Sequence, residues 1–141
     1  MSQRVDIFDA ICGALLLHLY ESFPVRLNVE FTGLPLNDEL ENLSTAEIEQ
    51  WMEIFFETVL WLEQEGFIRF QAGTGDRDFF GVQLIMSGLA ILRAIPESVG
   101  STKQSLIEKL KSAFSEGGKI VSSEGLKVAV GSLISMSSSI G

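Results

Sequence analysis

The chain has one cysteine and one histidine in 141 residues. Cys12 alone can close no internal disulfide and build no cysteine-based metal site, which suits a reducing compartment. With no cation near it in sequence to stabilise a thiolate, Cys12 reads as a small core residue rather than a reactive thiol. His18 would need partners to catalyse or to bind a metal, and Cys12, six positions away, falls on a different face of the helix they share. No apolar run approaches the ~18–20 residues that cross a bilayer. Residues 11–20 are apolar, yet Asp6 and Asp9 precede them and no small-residue cleavage site follows, so they are not read as an export signal. The expected setting is therefore soluble and cytoplasmic. Phosphate-binding loops are missing too. Gly73-Thr74-Gly75 lacks both the third glycine of a dinucleotide fingerprint and the Gly-Lys-Ser/Thr of a phosphate loop. Asp76-x-Asp78 lacks the later glycine and glutamate of a calcium loop. No nucleophile with a base, no acid–base pair and no metal cluster has convincing spacing. A non-enzymatic protein is expected, with no cofactor, no metal and no identified small-molecule substrate.

Basic residues are scarce where acidic ones are dense. No Lys or Arg lies between Arg26 and Arg69, an interval with ten Asp or Glu residues. Residues 1–100 carry five basic and sixteen acidic side chains, whereas residues 101–141 carry five lysines and three glutamates. This asymmetry bears on partners rather than on fold. What is plentiful is apolar bulk. A hydrophobic share of 46% with ten Phe and two Trp is enough for the core of one domain of ordinary size.

The best-defined stretch is 43–95. Ser44-Thr45-Ala46-Glu47 is a capping box, with Leu43 and Ile48 placed for a hydrophobic staple. Helical spacing runs through Ile48, Trp51, Met52, Phe55, Val59 and Leu62 until Gly66 stops it. Ile54 and Trp61 lie off that stripe, as an extension of the core or as a second, partner-binding surface. Glu49, Glu53 and Glu57, four apart, line up on the polar face, either as a recognition face for a basic partner or as a solvated face. Two alternating runs, 67–72 and 79–84, flank a turn-rich tip and predict a hairpin. Ile68, Phe70, Ala72, Phe80, Val82 and Leu84 are expected to face the core, with Phe67, Arg69, Gln71, Phe79, Gly81 and Gln83 on the other side. Ser87 is placed to cap a short helix that Pro96 ends.

Before that stretch, a helix is expected over 5–22 with a stripe of Phe8, Ile11, Cys12, Leu15 and Leu19, widened by Leu16. Gly13 within it weakens the helix by about 1 kcal/mol relative to alanine and permits close packing. A strand over 25–31 and a short helix over 37–42 follow. Beyond a linker at 96–101, Leu106, Ile107, Leu110, Ala113 and Phe114 form an amphipathic helix with Lys103, Glu108, Lys109 and Lys111 opposite. Gly117-Gly118 interrupts it, residues 120–134 return to an apolar pattern broken by Gly125 and Gly131, and the serine-rich end is expected to fray.

The layout of helix, strand, helices, hairpin and closing helix resembles the winged helix-turn-helix superfamily over about residues 5–95. Trp61-Leu62-Glu63-Gln64-Glu65-Gly66-Phe67-Ile68 looks like the passage from a recognition helix into a wing, and Met86-Ser87-Gly88-Leu89 like the helix start after it. The resemblance implies a mainly α fold with a small antiparallel sheet, the 25–31 strand joining the wing as its third member. It divides the chain into a winged-helix-like domain, 1–96, and a linker with an amphipathic C-terminal segment, 97–141. It also implies either DNA binding or protein contact, since one fold serves both. Members that bind DNA carry basic or amide side chains on the recognition helix; here Glu49, Glu53, Glu57, Glu63 and Glu65 stand there. A duplex with one negative charge per ~1.7 Å repels such a face, so nucleic acid is disfavoured.

The expected function is a protein-interaction module built on an acidic winged-helix domain. Its candidate partner-binding residues are Glu49, Glu53 and Glu57 on the long helix and Leu106, Ile107, Leu110 and Phe114 on the tail. The tail is expected to dock on an acidic protein surface, its own or a second copy's, in preference to peripheral contact with a membrane. The alternative is a DNA-binding winged-helix transcriptional regulator.

Overall fold

The computed structural model describes residues 3–73, 78–95, 104–115, 120 and 123–140. The fold is mainly helical with a small antiparallel sheet. Its centre is α1 (Gln3–Ser22). Residues 10–17 contain no polar side chain, and all of them are buried. The stripe expected from spacing is thus too narrow: Ala10, Ala14 and Leu17 are buried as well as Ile11, Cys12, Leu15 and Leu16. A helix apolar on every side must be covered on every side. α3 (Thr45–Gln64), β4 (Phe79–Leu84), α5 (Leu106–Ser115) and α6 (Glu124–Ile140) all pack against it.

Local chemistry sets the ends of these helices. At the start of α3, Ser44 Oγ accepts from the Glu47 amide at 3.2 Å and Glu47 Oε1 accepts from the Ser44 amide at 2.9 Å, the expected capping box. Past its end, the Phe67 amide donates to Leu62 O and the Gly66 amide to Glu63 O, closing the last turn. α5 has a capping box of its own, with Glu108 Oε1 accepting from the Ser105 amide at 2.8 Å and Ser105 Oγ from the Glu108 amide at 3.3 Å. Ser123 Oγ accepts from the Leu126 amide to cap α6, which runs through both Gly125 and Gly131 to Ile140 rather than fraying at the serines. The short helix α4 (Met86–Arg93) begins one residue before the expected cap, after Ile85, which makes no side-chain capping bond; Ser87 lies inside its first turn. Pro96 and the hairpin tip 74–77 lie outside the described residues.

The sheet runs in the order β1 (Leu27–Val29), β4, β2 (Ile68–Arg69), with β3 (Ala72–Gly73) continuing the β2 arm along β4. β1 is therefore the third member expected for the hairpin, though shorter than 25–31: a 3-10 turn, Phe31–Gly33, takes over its end, and α2 (Asn37–Leu40) follows. Leu27 stands opposite Val82 but Val29 opposite Phe79, so two steps on β1 match three on β4. The extra residue is a bulge at Phe80-Gly81. Gly81 has φ +66° there, its amide donates to Asn28 Oδ1 at 3.3 Å, and a Cβ would come within 2.8 Å of Gln71 Oε1. The positive φ is what calls for glycine, since the exposed Gln71 side chain can move aside.

The bulge swaps the expected faces of Phe79 and Phe80. Val82 and Leu84 point inward as expected, but past Gly81 the alternation slips by one. Phe79 is buried and Phe80 is 41% exposed, the opposite of the sequence expectation. Phe67 is also buried rather than outward, because it belongs to the helix end: its amide closes α3 and its carbonyl accepts from Ile85. Phe79 then anchors an aromatic cluster, with ring centroids 5.0 Å from Phe70, 5.5 Å from Phe56 and 6.0 Å from Phe55. Phe55 in turn lies 5.7 Å from Phe31. The cluster fixes the sheet onto α3. Replacing Phe79 by Ala should lower the unfolding free energy by about 3–5 kcal/mol, measured by urea denaturation, whereas Phe80→Ala, on the outer face, should cost under about 1 kcal/mol.

Candidate functional site

The tail residues singled out in the sequence lie against their own chain. Leu106, Ile107 and Leu110 are buried, and Phe114 is half-buried against the same core. Their docking ground is α1 together with α4. At Gly13 a Cβ would meet Leu126 Cδ1 at 2.7 Å, Phe114 Cε2 at 3.2 Å and Leu110 Cδ2 at 3.3 Å. Gly13 thus lets α5 and α6 press onto the α1 backbone. Polar contacts fasten the same segment. The Leu106 amide donates to Ala94 O at 3.0 Å, and the Ile120 amide donates to Glu39 Oε1 on α2. Lys111 Nζ lies 3.8 Å from Glu21 and over the Tyr20 ring, and Lys127 Nζ lies 3.7 Å from Asp6. The four tail residues named as a partner surface are therefore used within the chain, where large apolar side chains contribute about 1.5–3 kcal/mol each on burial.

The acidic residues of α3 are placed differently. Glu49, Glu53 and Glu57 are all exposed. Among the described residues Glu49 and Glu57 pair with no cation, and Glu53 has only Arg4 Nη2 at 3.5 Å, both side chains largely in solvent. Such a pair is worth little. Beside this row an open groove of about 800 Å³ separates α3 from the start of α1. Val5, Phe8, Leu60 and Trp61 line it with apolar surface, and Glu53, Glu57 and Arg4 form its rim. Phe8 and Trp61 meet edge to face, with centroids 5.4 Å apart and planes at 85°. Ile54 is buried at the floor, so it extends the core, while Trp61 is half-buried and keeps part of its ring open. Spacing along α3 pointed to the carboxylate row and to Trp61, but Arg4, Val5 and Phe8 enter only through the pairing of α1 with α3.

Two further titratable groups are explained by packing. Cys12 is fully buried, and burial pushes its thiol up to about 12, next to the charge of Asp9; it is protonated and enclosed. Asp9 of α1, half-buried, is raised to about 6, first by burial, then by the neighbouring Asp6, with Lys127 of α6 pulling the other way. The described residues hold no group of three His, Cys, Asp or Glu side chains arranged to bind a metal, and none of their helices is long and apolar enough to cross a membrane.

The chain matches no family model, no curated protein and no solved structure.

The raised Asp9 carboxyl makes stability depend on pH. In the fold this carboxyl keeps its proton to about pH 6, whereas its ordinary value is 3.8. Folding therefore takes up a proton between those values, and the contribution of Asp9 to stability falls as pH rises through that window. Asp9→Asn should make the protein more stable than wild type at pH 7.5, with the difference shrinking towards pH 4. Urea midpoints of both proteins at the two pH values measure it.

Proposed function

We propose that this chain is a non-enzymatic, cytoplasmic protein-interaction module with a winged-helix-like core, and that it meets its partner through the acidic face of α3. The single observation that carries this reading is the row of exposed carboxylates, Glu49, Glu53 and Glu57, standing beside an open apolar groove. Charged side chains there shape which partner approaches and how fast, and adjacent apolar surface offers the area that makes a contact hold. The winged-helix-like reading is supported by the order α1, β1, α2, α3, hairpin, α4 and by β1 joining β4 in the sheet.

Several observations favour a protein partner over nucleic acid. The long helix offers a duplex carboxylates rather than cations. Arg69 of the hairpin arm is turned onto Gln83 Oε1, with its Nε and Nη2 at 3.1 and 2.9 Å. Lys111 and Lys127 of the tail lie 3.8 and 3.7 Å from Glu21 and Asp6, so carboxylates of the same chain already stand beside them. Leu106, Ile107, Leu110 and Ala113 of the α5 stripe are buried against the same chain, with Phe114 half-buried, which argues against a membrane or a second copy as their cover. We therefore place the docking function of the tail inside the molecule, as part of the core that presents α3.

The test is affinity capture with the tagged full chain from its own cells, compared with E49K/E53K/E57K. These positions are exposed, so the triple variant should keep the wild-type circular dichroism, with stability changed by about 0.5 kcal/mol or less per site. A protein partner retained by wild type and lost by the variant is the expected result. A salt-sensitive complex with duplex DNA in a gel-shift titration, together with no such partner, would overturn the reading in favour of a DNA-binding regulator.

A further inference from the structure

We infer that the groove between α1 and α3 receives a basic amphipathic helix from a partner protein. This rests on the interaction-module reading above and names the occupant of that site. Three features select it. The first is length. The groove residues on α3 run from Glu53 to Gln64, about 16 Å at 1.5 Å per residue, a match for roughly three turns of a helix laid alongside. The second is the mixture of chemistry. Val5, Phe8, Leu60 and the open part of Trp61 offer apolar surface for one or two large side chains, and helix-in-groove recognition uses such anchors at i, i+3 or i+4. The third is charge. Glu53 and Glu57 border the groove, and Glu49 extends the same row by one turn, while Arg4 is the one cation among the groove-lining residues. An occupant with Lys or Arg flanking its apolar stripe meets complementary charge. An acidic helix, a nucleic acid strand or a second copy presenting the same carboxylates meets repulsion.

The groove's apolar surface and its acidic rim make separate contributions. The apolar floor gives area and the position of the anchor. The carboxylates discriminate by sign, since like charges placed opposite one another across an interface are unfavourable. Val5 is 55% exposed and its side chain can be changed without opening the core, which is not true of Phe8 or Trp61.

The experiment titrates the full chain with two synthetic helical peptides of about 18 residues, long enough to hold some helix alone. Both carry the same Leu and Phe stripe; one has Lys and Arg on its flanks, the other Glu. Calorimetry gives affinity, and the two tryptophan indole N–H resonances report position, because Trp51 is buried in the core and Trp61 opens on the groove. The basic peptide should bind wild type and move the Trp61 resonance but not that of Trp51. E53K/E57K should weaken it by about tenfold or more and should gain affinity for the acidic peptide, a swap that loss of fold cannot produce. Val5→Ser should weaken both combinations. Binding that ignores the charge reversal, or that leaves Trp61 unmoved, would overturn the inference. So would self-association of the free chain, seen by light scattering, that covers Trp61. If the peptides fail while E49K/E53K/E57K still abolishes capture of a cellular partner, the groove assignment falls and the interaction-module reading stands.

Discussion

The fold depends on covering a helix that has no side suited to water. α1 is apolar all round over residues 10–17, so neither α3 with the sheet nor the α5–α6 pair could hold it alone without leaving the other side wet. Helices of this kind are stable only inside a core, and here the first and last parts of the chain meet on it. Gly13 makes that meeting close, with Leu110, Phe114 and Leu126 set against the α1 backbone. The C-terminal segment is then a structural wall of the molecule rather than an appendage. Two of its five lysines, Lys111 and Lys127, lie beside Glu21 and Asp6 of α1.

This arrangement decides where surface remains for function. With most of the tail's apolar stripe packed inward, the carboxylate row on α3 is an outward face of marked charge. The core positions that row and the groove beside it: Trp51, Phe55, Val59 and Leu62 hold α3 from below, and the Phe79 cluster braces its far side against the sheet.

Features set by neighbours in sequence were legible from the residues. The capping box at Ser44 and Glu47, the stop at Gly66 and the core positions of α3 depend on contacts within a few residues. The second capping box at Ser105 and Glu108 carried the same Ser-x-x-Glu signal. The face assignment of the hairpin failed at one residue. An isolated glycine inside a strand pattern is a signal of a bulge, and Gly81 slips the alternation so that Phe79 rather than Phe80 turns inward. The width of the α1 stripe was also written in the chain, as eight successive residues without a polar side chain. The groove was not legible. Arg4, Val5 and Phe8 meet Glu53, Glu57 and Trp61 across some fifty residues of sequence, and such pairings are settled by tertiary packing rather than by spacing.

We expect α1, α3 and the α5–α6 pair to form one cooperative unit with α1 as its shared core. Native-state hydrogen exchange on the full chain tests this most directly, because amides that open together share one opening free energy. Residues 10–17 of α1, residues 54–59 of α3 and residues 126–133 of α6 should exchange through the same global unfolding, with denaturant dependences that converge. Exchange of α5 and α6 by a separate opening of much lower free energy, with α1 still protected, would contradict it.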